Sequence, residues 1–138
     1  MKNNCEVICA LFLVGSLAFA GCNKAPSTED RQNQAKEFDA LSARADQISI
    51  GLASSNPDEG RKAQADLDRL SNDLSAWEQR YQVKTSTLTE THNRRPALPV
   101  CEGTTTLKDD KGHVYHCILT RATLEMGKLS CEYKCAVD

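Results

Sequence analysis

The sequence predicts an α+β fold: an antiparallel helical hairpin, coiled-coil-like, followed by a small disulfide-stapled antiparallel β domain. Three observations predict it. Apolar residues recur at alternating spacings of three and four through two consecutive stretches, the mark of one helical seam. The last third is rich in Thr, Val, Ile and Tyr between glycine-bearing turns. Four cysteines lie in that last third, and none stands between Cys22 and Cys101. The predicted divisions are a leader over 1–21, a tether over 22–27, the helical hairpin over 28–82, a linker over 83–100 and the stapled β domain over 101–138.

Lys2 gives the leader a short positive start, and Val7 to Ala20 form an apolar run broken only by Gly15 and Ser16. The run is too short to cross a bilayer, which takes roughly 20 apolar residues. It fits the apolar region of a secretory signal, about 7–15 residues long. The stretch Ala18-Phe19-Ala20-Gly21-Cys22 resembles the lipobox of bacterial lipoproteins, with Phe19 where that family usually has Leu. The resemblance implies cleavage before Cys22, acylation of its thiol and of the new amino group, and anchoring in a membrane. Several acyl chains hold durably where a single chain binds only marginally. Asn23 follows the cysteine where Asp commonly signals inner-membrane retention. The resemblance therefore implies an outer-membrane address facing the periplasm. It covers the first two dozen residues and carries no activity.

From Ser27 to Ser54 the seam residues are Phe38, Leu41, Ala45, Ile48 and Leu52. Ser27 with Asp30 reads as a capping box in which Asp replaces the usual Glu. In "SSNPDEG", Asn56 caps a second helix, Pro57 takes its first position, and Asp58 and Glu59 sit in its positive first turn. The second seam is Ala63, Leu67, Leu70, Leu74, Trp77 and Tyr81. Pairing around the turn sets Ile48 against Ala63, Ala45 against Leu67, Leu41 against Leu70 and Phe38 against Leu74. Trp77 and Tyr81 then lie beyond the covered part of the seam: the expectation is partial exposure with Arg31 stacked on a ring, with docking on the last third or service as candidate partner-binding rings as the alternatives. "LDRLSNDLSAW" is similar to the heptads of the murein lipoprotein, but the C-terminal Lys through which that family joins peptidoglycan has no counterpart here. Residues 83–100, Thr-rich, then basic at Arg94-Arg95, then proline-punctuated, read as the linker.

After Cys101, "DDKG" and "EMG" read as hairpin loops, the second with Gly127 in the left-handed conformation. Three strands follow, over 103–108, 113–122 and 128–135. With Leu124 opposite Lys128, Cys117 falls opposite Cys135. Cys131 and Cys135 share a strand face at about 13 Å, too far apart to bond each other. Four cysteines allow three connectivities; this register favours Cys117–Cys135 and, by elimination, Cys101–Cys131. Two bridges suit a stretch too short to be stable on its core alone and an exported chain. The competing use of His113, His116, Cys117, Cys131 and Cys135 is zinc, but on one strand His113 and His116 point to opposite faces.

The net charge is −2 in 138 residues, and removing 1–21 takes Lys2 and Glu6 together, so no basic footprint for nucleic acid is present. No GxSxG, HExxH or phosphate-cradling glycine loop occurs. Ser130, His116 and Asp110 are not drawn together by any motif, and CEYKC departs from the CxxC of thiol exchange. The sequence thus leads to a non-enzymatic envelope protein without cofactor, metal or small-molecule substrate. Its expected contacts are the membrane through Cys22, and an envelope partner or a second copy through the helical seam. An inhibitor or immunity-type lipoprotein that blocks a lytic enzyme or toxin is the alternative, and a redox or metal sensor the second.

Overall fold

A computed structural model of the chain describes residues 25–93 and 100–137. Two helices, α1 (Thr28–Leu52) and α2 (Pro57–Tyr81), are followed by β1 (Ser86–Asn93), β2 (Thr104–Lys108), β3 (Val114–Glu125) and β4 (Lys128–Val137). The strands form one antiparallel sheet in the order β1-β4-β3-β2. The leader and Cys22 lie outside the described residues, as do Arg94 and Arg95.

The helices start where their capping chemistry places them. The Ser27 hydroxyl accepts from the Asp30 N–H, and the Asp30 carboxylate accepts from the Ser27 N–H, closing the capping box. The Asn56 side chain accepts from the Asp58 N–H with Pro57 in the first turn. Leu41, Ala45 and Ile48 of α1 and Ala63, Leu67, Leu70, Leu74 and Trp77 of α2 are buried. The close approach between the helices is made by Gly51, where an added Cβ would stand 2.8 Å from the Ala63 Cβ. At the other end the ring of Phe38 lies 5.0 Å from that of Trp77, one turn beyond the Leu74 expected to face it.

The expected linker contains β1. Ser86 to Asn93 pair with β4 over their full length, Ser86 with Cys135 through Asn93 with Lys128. Thr favours the pleated, half-buried surface of a strand. Leu88, Glu90 and His92 take the half-buried side in strict alternation. Two polar residues among those three hid the alternation from a search for apolar period two.

The β3–β4 hairpin turns on two residues, not three. Met126 at φ 48° and Gly127 at φ 74° make the turn, and Glu125 faces Lys128. Positive φ at both central positions is the form that matches strand twist. Leu124 therefore faces Leu129, one position away from the expected Lys128. Thr120 then bulges out of the ladder between the Leu119–Tyr133 and Arg121–Glu132 pairs. That extra residue restores the register, and Cys117 meets Cys135.

Hairpin and sheet share one contiguous core. Leu67, Leu70 and Leu74 have no exposed surface, nor do Ile118 and Leu119 of β3. The seam that two helices alone would leave wet is thus covered within the chain. Polar ties cross the same boundary. Lys134 Nζ donates to Glu78 Oε2 at 2.7 Å and to the Ser75 hydroxyl at 3.3 Å, and the Thr104 hydroxyl donates to Asp46 Oδ1 at 2.9 Å.

Candidate functional site

The two bridges are Cys101–Cys131 and Cys117–Cys135, with Cα separations of 5.5 and 3.9 Å. All four cysteines are buried. The first bridge ties the chain entering β2 to β4. The second joins directly opposed residues of β3 and β4. Both tie into the same inner layer as Tyr133, whose phenol is pushed up to about 12 by burial and by the carboxylates of Glu90 and Glu102. With these sulfurs bonded to each other, Cys117, Cys131 and Cys135 offer zinc no thiolate.

The polar candidates are dispersed. His116 faces Ala136 on β4, whereas Ser130 stands six positions earlier on that strand, about 20 Å away at strand rise. His113 turns to the β2–β3 loop, where its Nδ1 lies 2.8 Å from Asp109 Oδ2. The Asp109 carboxylate also accepts from the N–H groups of Lys111 and His113 and from the Tyr115 hydroxyl. The bond with the His113 ring foremost, then the bonds from the His113 and Lys111 N–H groups, outweigh desolvation and hold its pKa down to about 2. Asp109 is thus the organiser of a turn. Among the described residues no group of three or more His, Cys, Asp and Glu is arranged to hold a metal ion.

Trp77 and Tyr81 are not an uncovered pair of rings. Trp77 is only 4% exposed, and its indole N–H donates to the Gln34 carbonyl at 3.1 Å. Phe38 supplies the cover that the simple layer pairing left out. Tyr81 is half-buried, 6.1 Å from Trp77 between ring centres, and its hydroxyl donates to Glu37 Oε1 at 3.0 Å. Burial and that carboxylate raise its pKa.

Among the described residues, a cleft of about 870 Å³ lies between the first half of α1 and the sheet. One wall carries Arg31, Ala35 and Phe38, with Trp77 beneath; the other carries Thr104, Thr105, Thr106 and His116. Gly103 sets the angle between the walls. An added Cβ there would lie 2.3 Å from the carbonyl carbon and oxygen of Ala45, so the chain entering β2 rests directly on the α1 backbone. From that contact toward the start of α1, helix and strand diverge and the cleft opens. Both charge signs border it, Arg31 against Asp39 and Glu102. Sequence reasoning missed the cleft. Its one visible signal was Gly103 followed by three threonines, a residue that permits close approach ahead of a short strand.

No protein family, curated protein or solved structure matches this chain. Among the described residues no helix is long and apolar enough to cross a membrane.

Proposed function

We propose that this chain is a non-enzymatic, lipid-anchored protein of the cell envelope that works through protein–protein contacts, as a structural or assembly lipoprotein. The observation that carries the proposal is Ala18-Phe19-Ala20-Gly21-Cys22 at the end of an apolar run. The fold supports it in two ways. Ser27 begins a capped helix five residues after Cys22, which leaves a tether and then a folded body. Two bridges suit a compartment outside the reducing cytoplasm.

The contact surface moves from where the sequence placed it. The helical seam is buried against the chain's own sheet, and the cleft between α1 and β2 is, among the described residues, the proposed surface for a partner. An open cleft fixed by disulfides also suits the second reading, an inhibitor or immunity-type lipoprotein that blocks a lytic enzyme or toxin. The sensor reading draws less support, because all four sulfurs are out of easy reach of a reductant.

Fractionation of cells carrying the full chain tests the proposal. The wild type should sediment with membranes and label with fatty acid, and Cys22→Ser should do neither. Cross-linking in those membranes followed by capture should return an envelope assembly under the first reading and a foreign hydrolase under the second. A wild-type chain that stays soluble and unlabelled would overturn the anchoring.

A further inference from the structure

We propose that the cleft binds an extended segment of a protein partner as a fifth strand, added to the outer edge of β2. The proposal rests on the contact function above and deepens it by naming the kind of partner. Among the described residues β2 is the last strand of the sheet. Thr104, Thr105 and Thr106 all border the cleft. The lining continues inward to His116 and Cys117 of β3 and to Ala136 and Val137 of β4, so the cleft runs over the sheet and ends at the β2 edge.

The hydrogen-bond pattern shows which backbone groups are on offer. The Leu119 N–H donates to the Gly103 carbonyl at 2.9 Å, and the Asp109 N–H donates to the His113 carbonyl at 3.1 Å. Between those pairs the register is unbroken, Thr104 with Ile118 through Lys108 with Val114. In an antiparallel ladder, opposed residues alternate between pairs that exchange both bonds and pairs that exchange none. Thr105 and Leu107 are therefore bonded to β3. Thr104, Thr106 and Lys108 turn their N–H and C=O groups away from β3, the first two at residues that border the cleft.

A row of donors and acceptors at strand spacing is matched by another extended main chain and by little else. The opposite wall fits the side chains of such a segment. Phe38 and Ala35 face the cleft beside Arg31, so an apolar side chain would seat against the ring. Both charge signs on the rim argue against a polyanion as the occupant. α1 covers one side of this edge, which restricts it to a segment narrow enough to enter between helix and strand, a protection that open edges need.

The test uses full-length protein in its native membranes. After cross-linked capture, amide hydrogen exchange is compared between the free protein and the purified complex. Thr104 and Thr106 should slow by roughly tenfold or more, with β1 and the Met126 turn unchanged. Thr106→Pro removes one outward donor and no ladder bond; it should fold, keep both bridges and lose capture. Thr106→Ala keeps the backbone donor and should retain capture. A Thr106→Pro protein that captures normally would overturn the inference. So would a wild-type complex protected at β1 or the turn instead, an arm that needs no variant; both results leave the contact function standing. Protection of β2 by phospholipid vesicles alone would mean a membrane occupant and would also overturn it. Absence of any captured partner would remove both the inference and the contact function.

Discussion

At Gly103 the chain has room for a hydrogen and nothing more. A methyl group there would press into the Ala45 carbonyl, a backbone group that cannot swing away. Gly103→Ala should therefore force the β2 entry off α1 and destabilise the protein by about 2–3 kcal/mol, read as a fall in denaturation midpoint with both bridges intact. Asp109 gives a second prediction at this scale. Its carboxyl has a pKa of about 2 when folded and 3.8 ordinarily. A lowered pKa means that its contribution is complete above about pH 4 and is lost as pH falls through about 2. The backbone amide signals of Lys111 and His113 should accordingly titrate with a midpoint near 2 and lose that response in Asp109→Asn; a midpoint near 4 would mean the turn is organised otherwise. Neither residue was legible as special beforehand. Gly103 resembles any loop glycine until Ala45 is placed against it, and "DDKG" announces a turn without saying which Asp holds it.

Among the elements, both helices were legible because caps and seams agree: Ser27 with Asp30, Asn56 with Pro57, and apolar residues at three and four. β1 was not, because Glu90 and His92 occupy the half-buried side of a strand and leave Leu88 alone to mark it. The disulfide pairing was reached through a register wrong at the turn by one residue. Thr120 supplies the compensating residue, its hydroxyl donating to the Glu132 carbonyl at 3.1 Å. No local signal marks a bulge at a threonine in a threonine-rich strand. Deleting Thr120 should remove the bulge and leave a regular ladder in which Leu119 still faces Tyr133 and Cys117 still faces Cys135, because the residue removed is the one without a partner. Retention of both bridges, read by peptide mapping, is the expected outcome; loss of Cys117–Cys135 would contradict the register. The turn itself is open to improvement. Met126 is fully exposed at positive φ, where Asn is favoured ahead of Gly. Met126→Asn should stabilise the protein by about 1 kcal/mol, seen as a higher denaturation midpoint.

For the whole molecule the sequence suggested two units joined by a linker, and the structure is one core. The reason is physical. Two helices bury only the seam between them, and a sheet of this size has an apolar face of its own; each covers the other. Separate units would let reduction unfold the last third and spare the helices. A shared core makes them fail together. Leu70 is fully buried in the shared core, so Leu70→Ala should cost about 2–5 kcal/mol, with helical and sheet signals lost in one transition. Reduction of both bridges should likewise lower the helical melting temperature.

The proposed function rests, at this scale, on the end of the chain that precedes the folded body. The proposed oxidation of the cysteines presumes export, and the proposed envelope partner presumes anchoring at Cys22. The most direct measurement is the intact mass of protein extracted from its native membranes, taken before and after alkylation without reductant. The account predicts a chain that begins at Cys22, carries acyl groups on that residue, and takes up no alkyl group at Cys101, Cys117, Cys131 or Cys135. An unacylated chain that begins at any other residue would contradict it.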